Sequence, residues 1–284
     1  MTTMTRGALR AHRNPEGRMS LTAHLRELRR RLIVILGIVA AGAIAGWFLY
    51  DPIMTLLERP YCAVNPARRF DGASGQCVLV YHGALDGFTT RLKVSVLTSI
   101  VLTGPLWLYQ VWAYIAPGLR GKECRYAMAF VASSTTLFAA GVVLADLVLR
   151  KGLAVLLGQS GTNVQAMLTV NGYLSFVVTM LITFGLAFEL PLIIVMANLA
   201  GVLPARVLKR AQRLSIFLIF LFAAVACPTT DPFTMCAMAV PLVALFELAV
   251  LFAVVHDRRT ARRRAAAQVV DEHDDGIPTP SSEL

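Results

Sequence analysis

Charge is what this chain has least of. Only 15% of its 284 residues are Asp, Glu, Lys or Arg, while 56% are hydrophobic and the mean hydropathy is +0.63. An ordinary soluble domain carries about a quarter of its residues as charges, so that class is excluded. Histidine is scarce too. The five copies (His12, His24, His82, His256, His273) all lie outside the long apolar runs, so no metal or general-base site is expected inside them. The chain has no Gly-x-x-x-x-Gly-Lys loop for a nucleotide, no His-Glu-x-x-His and no Gly-x-Ser-x-Gly. With no nucleophile–base pair, an intramembrane hydrolase is disfavoured. We expect no enzyme, no cofactor and no metal.

The apolar residues collect instead into runs of bilayer length, which takes about 20 helical residues for ~30 Å of hydrocarbon. Six spans are expected, at about 32–50, 88–112, 126–149, 172–199, 214–226 and 233–255, within one membrane domain of residues 20–255. Gly104-Pro105 interrupts the second span, because proline lacks an N–H and frees a carbonyl of the preceding turn. Gly42 and Gly46 form a small-xxx-small pair suited to close helix packing. Run five, Leu214–Ala226, is only 13 residues and too short for a straight crossing. Between spans one and two, Asp51–Gly87 reads as a long polar loop. Residues 1–19 read as a disordered basic leader, and not as a cleavable signal, since the first apolar run has spanning length and no clear cleavage site follows. The segment 256–284, Arg-rich and then acidic, reads as a disordered tail.

Where the 27 Lys and Arg fall decides what the net charge of +10 means. Twenty lie before span one, after spans two and four, and in the tail; five lie in the alternate loops, and Arg91 and Lys93 lie near the outer end of span two. Basic residues concentrate in cytoplasmic loops, so both termini are expected in the cytoplasm. A charge distributed in this way argues against nucleic acid as the partner. Cys62 and Cys77 share the first outer loop; they could pair in an oxidising space or remain two reduced thiols. Cys124, Cys227 and Cys236 lack metal-ligand spacing.

Isolated acids are the informative groups. Glu189 lies inside span four, where an ionisable side chain costs about 2.5–3.5 kcal/mol or more and needs a partner, a cavity or water. It is either a protonated acid bonded to a neighbouring helix or a functional polar site. Glu247 in span six is open in the same way, and Asp146 near the outer end of span three reads as structural. Glu27 could simply pair with Arg30 or Arg31 one helical turn on, worth a few tenths of a kcal/mol. Glu123 could be a solvated loop charge. Alternatively, both bind guanidinium groups through bidentate, charge-assisted hydrogen bonds. Asp231 reads as an N-cap for the last span.

Four stretches carry a family resemblance: His24-Leu-Arg-Glu-Leu-Arg-Arg-Arg-Leu32, Pro105-Leu-Trp-Leu-Tyr-Gln-Val-Trp-Ala-Tyr-Ile-Ala-Pro-Gly-Leu119 with Glu123 after it, Phe184-Gly-Leu-Ala-Phe-Glu-Leu-Pro191, and Pro228-Thr-Thr-Asp231. In this order they resemble the TatC family, the receptor subunit of the twin-arginine protein translocase. That resemblance implies an all-α polytopic membrane protein with six transmembrane helices, a cupped bundle in which helices five and six are short. It implies a receptor in the bacterial cytoplasmic membrane for folded cargo bearing an Arg-Arg signal peptide, working with single-span TatA/TatB-type subunits in a multi-copy complex and driven by the proton-motive force. Glu27 and Glu123 would bind the paired arginines, with His24, Arg29, Gln110 and Pro117 around them. Glu189, with Phe184, Pro191, Pro105 and Asp231, would serve partner contacts and transport. Cys227, Tyr114 and Cys124 depart from the family's usual residues, but no carboxylate is lost. The competing class is a proton-coupled small-molecule transporter with Glu189 as the proton carrier.

Overall fold

The computed structural model describes residues 21–65, 77–115, 124–158, 168–227 and 232–274. Their helices are α1 (Leu21–Phe48), α2 (Tyr50–Cys62), α3 (Asp86–Leu102), α4 (Gly104–Ile115), α5 (Cys124–Gly158), α6 (Val170–Ala187), α7 (Leu190–Leu199), α8 (Ala205–Ala226) and α9 (Pro232–Asp274). The chain is an all-α membrane protein. Four stretches are long and apolar enough to cross a bilayer, His24–Phe48, Met128–Val155, Val170–Leu199 and Pro232–Arg263. The α3–α4 pair, bent by 61°, makes a fifth if it is one broken span. Helix α8 falls short because Arg206, Lys209, Arg210 and Arg213 occupy its first half. Its apolar remainder, Leu214–Ala226, rises only ~20 Å.

Both breaks have a sequence cause. At Gly104-Pro105 the ring removes a donor, and the indole Nε1 of Trp107 bonds the Ile100 carbonyl left at the bend, 2.9 Å away. Between α6 and α7, Glu189 is the N-cap residue and Pro191 sits in the first turn of α7, where a missing N–H costs least.

Three expected boundaries are corrected. The first third of the Asp51–Gly87 segment, expected as loop, is helix α2. Its Ile53, Met54, Leu57 and Tyr61 fall on one helical face packed into the core, and Pro52 lies in the first turn, where proline is tolerated. The basic segment before span five is already helical from Ala205. Helix α9 continues past Val255 to Asp274, through a stretch expected to be disordered, because Ala and Arg at 261–267 are strong helix formers.

Helix α1 lies along α3 and reaches α4; α4 packs on α5, α5 on α6, α3 on α6, and α7 and α8 on α9. Two of these crossings depend on glycine. A Cβ at Gly46 would stand 2.7 Å from the Ser95 carbonyl oxygen of α3, and one at Gly141 would stand 2.6 Å from that of Phe184 in α6. The main core joins α2, α3, α5, α6 and α9 around Tyr61, Tyr173, Phe184 and Met238, all essentially buried. The Tyr173 hydroxyl donates to the Leu57 carbonyl at 2.7 Å, which fixes α2 over the start of α6. Cys62 and Cys77 are joined in a disulfide, with Cα atoms 5.6 Å apart. A single bridge between Val80 and Thr169 holds the following segment against α6.

Candidate functional site

Helix α4 organises the candidate site because its two faces meet different neighbours. Gln110 and Tyr114, one turn apart, face the first turns of α1; Leu108 and Trp112 face α5 and α7. On the α1 side the two helices run antiparallel. The Tyr114 hydroxyl is hydrogen-bonded to His24 Nε2 at 2.7 Å, and the two rings stack with centroids 4.7 Å apart. Seven residues further along α1, Arg31 Nη1 donates to the Gln110 carbonyl at 3.5 Å.

Between these contacts lies Glu27. Its Oε1 accepts from both Nε (3.0 Å) and Nη2 (2.7 Å) of Arg31. The pair is about three-quarters buried, with side-chain exposures of 23% and 25%. Oε2 has no hydrogen-bond partner among the described residues, so the carboxylate is oriented by Arg31 on one oxygen and open on the other. Arg29 is exposed on α1. Glu123, Pro117 and Asp231 lie outside the described residues.

On the other face of α4, the Trp112 indole donates to Ser134 Oγ at 2.8 Å, and that hydroxyl donates to Glu189 Oε2 at 2.7 Å. Glu189 is 7% exposed, and its Oε1 has no partner among the described residues. The acid therefore stands at a helix break within apolar surroundings, with half of its carboxyl satisfied by a hydroxyl from α5. Phe184 is wholly buried and Pro191 is buried beside the break, so both shape the position of Glu189 from within the core. Pro105 marks the 61° bend between α3 and α4.

Ser134 and Trp112 were not legible as site residues. A serine in an apolar helix has many packing roles, and only the tertiary contact shows that its hydroxyl links an indole to a carboxyl. Glu247 accepts from Gln212 Nε2 at 2.6 Å, and Asp146 pairs with Arg150 one turn along α5. Lys93 is bound by Asn171 and Ser175 of α6. None of these joins the two acids around α4.

Helix breaks and two partly satisfied acids on either face of α4, within an all-helical bundle carrying runs of bilayer length, define a polytopic membrane protein. A family model described as Sec-independent protein translocase protein (TatC) matches residues 23–241. The chain is 45% identical over 265 residues to a Sec-independent protein translocase protein TatC of Frankia casuarinae, covering 92% of this chain and 72% of that one. It is 40% identical over 250 residues to the protein of that name in Xylanimonas cellulosilytica, covering 88% and 89%. A crystal structure of a twin arginine translocase receptor, TatC, superposes with a TM-score of 0.69 at 28% identity, covering 81% of this chain and 99% of that one.

This chain belongs to the TatC family. It is a membrane-embedded subunit of the twin-arginine translocase, a component of a protein complex and not an enzyme. The comparisons give no support to the small-molecule transporter weighed above.

Proposed function

We propose that this subunit is the receptor for Arg-Arg signal peptides, docking the paired guanidiniums on Glu27 and Glu123. The observation that carries the proposal is the half-satisfied Glu27 carboxylate: Arg31 orients one oxygen, and the other has no partner among the described residues. An arriving guanidinium adds to the open oxygen or displaces Arg31, forming charge-assisted hydrogen bonds. The His24–Tyr114 stack and the Gln110 carbonyl form the wall beside it, and Arg29 and Pro117 contribute to binding. The apolar part of the signal then lies toward Glu189, at the break positioned by Phe184 and Pro191. Single-span TatA/TatB-type partners pack there, with Asp231 and Pro105 contributing to partner contacts and transport. Transport of folded cargo uses the proton-motive force, in a multi-copy assembly in a bacterial cytoplasmic membrane. In this reading α1, α3–α4, α5, α6–α7, α8 and α9 are six crossings with both termini cytoplasmic, which supplies the negative-inside side that the basic loops prefer.

The test compares affinity of the detergent-purified protein for an Arg-Arg signal peptide. Each of Glu27→Gln, Glu123→Gln and an Arg-Arg→Lys-Lys peptide should weaken binding by about 1.5–3 kcal/mol, the worth of a hydrogen bond to a charged group. Equal affinity in all four combinations removes these acids from the site.

A further inference from the structure

One cleft takes no part in the site around α4. It lies between α5, α7 and α9 and has a volume of about 720 Å³. Phe130, Leu192 and Phe252 wall one end, while His256, Arg259 and Arg263 line the other. Phe252, His256, Arg259 and Arg263 follow one another on α9 at steps of one helical turn and so share a face. The Phe252 and His256 rings are stacked nearly parallel, at 7° and 6.2 Å, which marks the change from apolar to basic lining.

Among the described residues, the basic end has no counter-ion. Arg259 and Arg263 are exposed, and neither forms an ion pair with a described acid. The nearest acid in sequence, Asp257, faces the opposite way. Its Oδ2 accepts from the Ala205 amide at 2.8 Å and its Oδ1 from Asn198 Nδ2 at 3.2 Å. The cleft is thus apolar along the membrane-spanning part of α9 and cationic where the helix leaves it.

We propose that this cleft binds an anionic phospholipid. Its acyl chain lies against Phe130, Leu192 and Phe252, and its phosphate is held by Arg259 and Arg263, with His256 beside it. The rise from residue 256 to 263 is ~10 Å, enough to embrace one headgroup. Guanidinium forks match phosphate oxygens, and basic pockets between transmembrane helices at the aqueous surface take acidic headgroups. A lipid held there pins the extension of α9 to the membrane surface and seals the seam between α5, α7 and α9.

The test is native mass spectrometry of the full-length detergent-purified protein, titrated with phosphatidylglycerol or phosphatidylcholine. Wild type should retain one phosphatidylglycerol about tenfold more tightly than phosphatidylcholine. Arg259→Gln/Arg263→Gln, which removes two headgroup contacts worth up to about thirtyfold together, should abolish that preference. Arg206→Gln/Lys209→Gln, which removes the same charge from α8, should preserve it. The lysine pair Arg259→Lys/Arg263→Lys should keep most of it, which guards against misfolding as the cause. Equal loss in the α8 variant would mean diffuse attraction and overturns the site. Displacement by millimolar glycerol phosphate would make it a free-phosphate site, and absence of any preference in wild type would sink it outright.

Discussion

Gly141→Ala tests whether backbone contact between α5 and α6 holds the bundle together. The added Cβ would lie 2.6 Å from the Phe184 carbonyl oxygen and 3.0 Å from the Gly185 Cα. Ordinary carbon contacts start near ~3.5 Å, so the helices would have to part by ~0.9 Å or the carbonyl would have to tilt. Neither obstacle is a side chain that could rotate away. Overpacking costs about 1–3 kcal/mol, and a backbone clash belongs at the top of that range. Ala gains ~1 kcal/mol over Gly in helix propensity, leaving a net loss of ~2 kcal/mol. At about 2–4 °C per kcal/mol for a chain of this size, the melting temperature should fall by ~4–8 °C. Gly37→Ala is the internal control: a Cβ there meets nothing within 4 Å, so it should be neutral or slightly stabilising. Intrinsic fluorescence during heating in detergent reads both variants. If Gly141→Ala melts no lower than Gly37→Ala, the close α5–α6 crossing is not what the structure implies.

Three further outcomes are expected. Ser134→Ala leaves the Trp112 indole and the Glu189 carboxyl without their shared partner, and should destabilise by about 1–3 kcal/mol in thermal unfolding, whereas Ser134→Thr should lose less. Asp257→Ala removes the charged cap that α9 lends to α8, whose own N-cap residue is Pro204, and should cost ~1.5–3 kcal/mol; hydrogen exchange should rise first at the Ala205 amide. Cys62→Ser opens a loop of sequence separation 15, worth ~3 kcal/mol by loop-closure entropy, and the lowered melting temperature should match that of reduced wild type.

Much of the fold could be read from residue patterns alone. The Gly104-Pro105 bend and the irregularity beside Glu189 follow from a missing N–H, a local property that no packing can restore. The shortness of the apolar part of α8 follows from counting residues between Arg213 and Cys227. Helix α2 was hidden because its two prolines and polar residues resemble a loop. The face of Ile53, Met54, Leu57 and Tyr61 that makes it a helix acquires meaning only against α3, α5 and α6. Residues 256–274, expected from their charge to belong to a disordered tail, are helical, and their Ala and Arg favour helix.

The sequence by itself determined the solvent, a bilayer, because mean hydropathy and run length are additive properties that need no neighbours. It also singled out Glu27 and Glu189, since a lone acid among arginines or inside an apolar run is conspicuous wherever the chain folds. Only the tertiary structure decided what those acids meet. Arg31, four residues on, takes one oxygen of Glu27 because both lie on one face of α1 beside α4. Ser134, 55 residues before Glu189, takes one of its oxygens because Gly141 lets α5 approach α6 to backbone distance. Contacts of that kind depend on how closely two helices can approach, a property of the pair that neither segment carries alone.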